Sequence, residues 1–201
     1  MNQLTYLERP SVSVVYKTWE SFSTRGLSDY NGGGMAIMDV NNGNITYLPT
    51  PFITQFPTMN DVLRANIRTY STFEDVCAGF FKYPDALPGV SSVVHTHSAN
   101  AKQVAAKHTG GYMIPRDFDV NTQGISNRTK GFHIQDIHIP VLPACSTNDE
   151  LMARLNECFN YNPNSCSALV QRHGLFVFGA TWQEAKRECE SLEKIFEIEL
   201  A

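Results

Sequence analysis

Residues 11–25 place Val14, Val15, Thr18, Trp19 and Phe22 on one face at helical spacing, which predicts an opening helix. The run Asp29-Tyr30-Asn31-Gly32-Gly33-Gly34 breaks it and precedes the apolar stretch Met35-Ala36-Ile37-Met38-Asp39-Val40. The turn Asn41-Asn42-Gly43-Asn44 then leads into Ile45-Thr46-Tyr47-Leu48, so the pair predicts a β-hairpin. A second helical pattern covers residues 74–83, after which Pro84 and Pro88 punctuate a loop. Val90-Ser91-Ser92-Val93-Val94 is short, β-branched and bounded, the pattern of a buried strand. Ser98 is placed to cap a helix over residues 99–108.

Residues 109–135 are rich in Gly, Asn, Thr and charge and predict a long loop with short extended pieces. Ile137-His138-Ile139-Pro140-Val141-Leu142 resumes a strand pattern. Thr147-Asn148-Asp149-Glu150 has the form of a capping box and opens a helix to about Phe159. Ala168-Leu169-Val170 and Phe176-Val177-Phe178 flank a turn at Gln171-Arg172-His173-Gly174-Leu175. Thr181-Trp182-Gln183-Glu184 is a second capping box, and the helix it opens has the apolar stripe Ala185, Cys189, Leu192, Ile195 and Phe196. Interspersed strands and helices predict an α/β sandwich of mixed order, and 201 residues fit one domain over 1–201.

Composition narrows the class. Apolar residues make up 42% and charged residues 18%, which supports a packed core and argues against disorder. A net charge of −4 gives no basic footprint for nucleic acid. No apolar run approaches the roughly 20 residues needed to cross a membrane. Met1 to Glu8 lack a charged segment followed by an apolar one, so no signal peptide is expected and the protein is expected in the cytoplasm. Cys77, Cys145, Cys158, Cys166 and Cys189 are odd in number and form no CxxC, the usage of reduced core thiols.

The candidate chemistry sits at the end of the Val90–Val94 strand, in His95-Thr96-His97. Side chains at i and i+2 of a strand point the same way, so two imidazoles leave the strand end together. That is how two neighbouring corners of a metal tetrahedron are filled, although paired histidines at this spacing also occur as ordinary polar residues. A third ligand has to come from elsewhere. His173, at the end of another apolar strand and beside Gly174, is the best placed candidate. His108, His133 and His138 match no such pattern and read as surface or hydrogen-bonding histidines.

His95-Thr96-His97-Ser98 followed by Leu169-Val170-x-Arg172-His173-Gly174, with Gly179 and Glu184-Ala185 beyond, resembles the class II aldolase/adducin-head family over about residues 11 to 200. The resemblance implies a three-layer α/β/α sandwich around a mostly antiparallel, nine-stranded sheet, often assembled as a homotetramer with active sites between subunits. It implies that His95, His97 and His173 hold one zinc ion per chain. The implied activity is that of a lyase acting on a small phosphorylated ketose through a metal-stabilised enolate, of dehydratase or aldol-cleaving type. In the last third, Pro163-x-Ser165-Cys166, Gly179-x-Thr181-Trp182 and Ala185-Lys186-x-x-Cys189-Glu190 are most similar to the branch that dehydrates methylthioribulose 1-phosphate.

Further roles are implied residue by residue. Glu74, twenty-one residues before His95, falls where the aldolases of the family have their acid/base, with Phe73 where they have a second hydroxyl. A glutamate at a helix start is also an ordinary structural feature. Gly33 and Gly34, with Thr50, fall at the family's phosphate-binding turns, whereas Pro51 removes an N–H donor there. Where the dehydratases carry a catalytic glutamate this chain has Asp117-Phe118-Asp119-Val120, and Asp119 is the substitute available. A site shared between subunits would draw a Tyr or Arg from a partner, for which Tyr112, Arg116 and Tyr161 are open positions. The changed phosphate-turn residues and missing glutamate also leave open a non-catalytic binding or scaffold domain of the adducin-head type.

Overall fold

The computed structural model describes residues 12–28, 33–49, 57–66, 68, 75–83, 87–114 and 138–201. Eight strands of these residues form one sheet: β1 (Gly34–Asp39), β2 (Asn44–Leu48), β3 (Leu63–Asn66), β4 (Ser92–Thr96), β5 (Gly110–Met113), β6 (His138–Leu142), β7 (Ser167–Val170) and β8 (Gly174–Gly179). Their order is β3-β2-β1-β4-β8-β7-β6-β5, with every neighbouring pair antiparallel except β6 and β7. The mostly antiparallel sheet agrees with the expectation; eight strands stand among the described residues where nine are expected of the whole sheet.

Among the described residues five α-helices cover it: α1 (Val12–Thr24), α2 (Val76–Gly79), α3 (Ala99–Lys107), α4 (Asn148–Tyr161) and α5 (Trp182–Glu199). Two cores result. One packs α1, α3 and α5 on the sheet face carrying Met35, Val94, Leu169, Leu175 and Val177. The other packs α2 and α4 on the face carrying Ala36, Val93, Val170, Phe176 and Phe178. Strands buried on both faces must be apolar at consecutive positions, which is why β7 and β8 read as continuous runs rather than alternating ones.

The helix starts follow the capping residues. Ser98 accepts from the Ala101 amide and starts α3, and Thr181 with Glu184 forms the reciprocal box that starts α5. At α4 only half of the expected box forms: Thr147 accepts from the Glu150 amide, while the Glu150 carboxylate reaches past the cap to the Ser146 amide and to Arg154. The helical pattern at 74–83 condenses into the single turn of α2, capped by Asp75, and a 3-10 turn over Phe80–Lys82. Within the expected loop at 109–135, β5 is the extended piece that the structure describes. All five cysteines are free thiols, and no helix among the described residues is long and apolar enough to cross a membrane.

Because Thr181 is exposed and touches α5 through its cap, Thr181→Ala isolates one local contribution. Its loss costs about 1 kcal/mol of stability, read as a lower urea midpoint at unchanged slope.

Candidate metal centre

The central strand β4 is paired with β1 on one side and β8 on the other, and its last residues carry the candidate site. Alternation turns Val93 and His95 to the α2–α4 face. There the His95 ring stacks on Phe176, its register partner, at 3.8 Å between centroids and 5° between planes. His95 Nδ1 lies 2.9 Å from the Leu175 carbonyl oxygen. A carbonyl only accepts, so Nδ1 carries the proton and the lone pair sits on Nε2. His95 Nε2 is buried and has no hydrogen-bond partner. A buried nitrogen lone pair left without a partner is rare in folded proteins, and a cation is one group that satisfies it.

His97 follows on the same side, and His173 arrives from the β7–β8 turn. That turn takes Arg172 to a φ of 65° and Gly174 to 135°. A Cβ at Gly174 would lie 1.9 Å from the Thr96 carbonyl oxygen and 3.2 Å from the His97 Cα, so only glycine lets the turn close against the end of β4. The three imidazoles meet with centroids 4.6, 4.9 and 4.8 Å apart. Their ligand nitrogens all lie within 4.8 Å of one another. A single zinc ion would take such nitrogens at about 2.0–2.1 Å.

The electrostatics suit neutral ligands. Burial, then the neighbouring His97 and His173, holds the His95 imidazole well below its ordinary value; burial and Lys102 lower His173 as well. Metal coordination needs the deprotonated ring, so no proton has to be displaced at neutral pH. The residues present fit a divalent metal.

Two of the expected phosphate-binding residues lie beside this cluster. Gly34 pairs with His95 across β1 and β4, and Gly33, at a φ of 94°, leaves no room for a Cβ between Ser28 and the His95 carbonyl. Thr50, Glu74 and Asp119 lie outside the described residues, as do His133 and Arg116. His108 lies near Glu199 at 3.4 Å and His138 covers Gly111, both away from the triad as expected. Tyr112 is 1% exposed and packs on Phe196, which removes it as a residue donated to a partner, whereas Tyr161 stays exposed at the end of α4.

Two residues near the site carried no sequence signal of their own. Lys102 stands four residues after the Ser98 cap, so the helix that begins there returns a positive charge towards the histidines. Glu193 of α5 is buried at 4% exposure and accepts from Thr96 Oγ1 at 2.8 Å and Ser98 Oγ at 2.7 Å. A glutamate in a helix ordinarily reads as part of the solvated face, and its burial shows only after α5 docks.

Residues 14–200 match the family described as class II aldolase and adducin N-terminal domain, and the chain belongs to that family. Among curated proteins it is similar to methylthioribulose-1-phosphate dehydratase of Kluyveromyces lactis, 28% identical over 177 residues, covering 84% of this chain and 85% of that one. It is similar to the human protein of the same name at 31% identity over 129 residues, 61% of this chain and 51% of the relative; the match therefore spans about half the length of that relative. Among solved structures, L-fuculose-1-phosphate aldolase of Thermus thermophilus superposes with a TM-score of 0.70 at 16% identity, covering 94% of this chain and 92% of that one. The N-terminal class II aldolase domain of a conserved Thermoplasma acidophilum protein superposes at 0.61 and 13% identity, covering 100% and 99%. The class II aldolase-like fold is thereby shown.

Two outcomes follow from the geometry. Gly174→Ala, forced against a backbone carbonyl, costs more than about 1 kcal/mol in urea unfolding and weakens binding of added metal in the same preparation. The depressed imidazoles give the second. Between their folded values and the ordinary 6.5 the unfolded chain binds more protons, so their contribution is complete above pH 6.5 and is lost as pH falls below it. Metal-free protein accordingly unfolds at lower urea at about pH 5.5 than at about pH 7.5, and His173→Asn narrows the difference.

Proposed function

We propose that the chain is a zinc-dependent lyase acting on a small phosphorylated ketose, and that methylthioribulose 1-phosphate is the substrate to test first. The observation that carries the reading is the three-histidine cluster with the His95 proton held on Nδ1 and a buried, unpartnered Nε2. Three imidazoles with a fourth position left for substrate match the pattern of catalytic zinc. The dehydratase substrate takes precedence because the curated relatives at 28% and 31% identity bear that name, whereas the aldolase structures at 16% identity speak to fold alone.

His95, His97 and His173 would hold the ion. Bound there, it supplies Lewis-acid chemistry, stabilising the negative charge that develops when a bond beside the substrate carbonyl breaks. The backbone at Gly33 and Gly34, next to His95 and free of side chains, is suited to receive the phosphate, with Thr50 completing that subsite. Glu74 or Asp119 would move the proton. In a dehydration the proton leaves the carbon beside the carbonyl, the hydroxyl departs from the next carbon, and the two go off as water. An aldol cleavage breaks the carbon–carbon bond instead and needs the same charge stabilisation. The homotetramer implied by the resemblance and a cytoplasmic location, consistent with five free thiols, belong to the same reading.

Elemental analysis of the purified protein, with His97→Ala alongside, tests the centre: about one zinc per chain is expected, lost in the variant. Added zinc should then raise the melting temperature of the wild type only. The loaded enzyme is expected to release water from methylthioribulose 1-phosphate. Cleavage of a ketose phosphate in place of dehydration would make it an aldolase. Absence of metal after reconstitution would leave an adducin-head-like binding domain and overturn the enzyme reading.

A further inference from the structure

The buried stripe of α5 is interrupted by Glu193, whose partners are two hydroxyls rather than a cation. The Arg25 guanidinium pairs with Glu190 and acts on Glu193 only from a distance. Burying a carboxylate is costly, and an apolar side chain would fill the same place on the helix face without that cost. What the carboxylate does here is specific. Its two oxygens take one hydroxyl each from Thr96 and Ser98, the residues on either side of His97.

Alternation along β4 explains how this is possible. His95 and His97 go to one side of the strand, and the intervening Thr96 goes to the other, where α5 lies. Ser98 is engaged twice, donating to Glu193 and accepting from the Ala101 amide at 2.9 Å as the cap of α3. The His97 amide itself donates to the Leu27 carbonyl at 3.1 Å. The backbone of residues 96–98 is therefore held from α5, from α3 and from the end of the α1 segment. His97 projects from this backbone and His95 from the residue immediately before it, so two of the three candidate ligands depend on it.

We propose that Glu193 is a positioning residue that braces the Thr96–Ser98 backbone and thereby presets the directions of His95 and His97 for a divalent ion. The part concerning the ion rests on the metal reading above; the brace itself does not. Groups that orient ligands from behind typically account for about 10–100-fold in metal affinity.

The test uses Co2+ as the probe ion, because its visible absorption reports coordination geometry as well as binding. Affinity is measured by chelator competition in wild type, Glu193→Ala, Glu193→Gln and Thr96→Val, with circular dichroism and urea unfolding of the metal-free proteins as controls. Glu193→Ala is expected to weaken Co2+ binding by about 10–100-fold and to alter its absorption. Glu193→Gln, which keeps one oxygen acceptor in place, should recover most of that loss. Thr96→Val should weaken binding too, and its combination with Glu193→Ala should fall short of the product of the single effects, since both break one brace. Unchanged affinity and absorption in a folded Glu193→Ala, or fully independent effects of the two sites, would overturn the proposal. Should Glu193→Ala fail to fold, Thr96→Val decides in its place, and unchanged binding there overturns it. Hydrogen exchange of the His97 and Ser98 amides in metal-free protein separates the two readings. Wild type that binds no Co2+ sinks the metal reading alone, and the brace then stands or falls on whether these amides exchange faster in Glu193→Ala and Thr96→Val.

Discussion

At the end of β4 the two-residue repeat of an extended chain sends His95 to the α2–α4 face and Thr96 to the α5 face, and the rest of the site is arranged around that division. On one side the rings face each other and Phe176; on the other the hydroxyl between them is tied to a helix. A strand shifted by one residue would exchange the two, placing imidazoles against α5 and a hydroxyl against Phe176. Register between β4, β1 and β8 is thus a functional quantity as well as a structural one. It is held by the apolar pairs Val93–Phe178 and Val94–Val177 beneath the histidines.

The buried carboxylates of α5 follow one rule. Both buried acids of α5 meet a donor from the sheet or its margin: Glu193 meets Thr96 and Ser98, and Glu188 receives the Cys166 thiol at 2.8 Å. At the site, by contrast, His95 Nε2 is buried without a hydrogen-bond partner. Ser28 Oγ, Ser92 Oγ, His108 Nε2 and Tyr112 OH are also without a hydrogen-bond partner among the described residues, but His95 Nε2 is the one that lies within the three-histidine cluster, where a ligand is expected.

Much of this was readable in the chain because the relevant signals are local. Ser98 and Thr181 mark helix starts since the hydroxyl that caps is within three residues of the amide it serves. The Asn-rich turn at 41–44 marks the first hairpin for the same reason. His95 and His97 could be paired from strand periodicity, and His173 joined to them through its turn and the family resemblance. Glu193 could not, because its role depends on where α5 lands on a strand 97 residues earlier. The half-formed box at Glu150 shows the same limit at short range: Ser146 and Arg154 compete for a carboxylate that the motif alone assigns to Thr147. The order of the sheet, which sets β4 between β1 and β8, is likewise a property of distant pairings.

The β7–β8 turn carries a consequence for how the protein reaches its native state. His173 meets His95 only when β8 has paired with β4, and the bond from His95 to Leu175 joins residues 80 apart. Closing a loop of that length has to be compensated by contacts that do not exist until the centre of the sheet is assembled. The nitrogen cluster is therefore absent from early, locally structured chains and complete only when the two halves have docked. An ion selecting that cluster would bind the finished fold and little that precedes it, so its release would report the opening of the sheet's middle rather than the fraying of its edges.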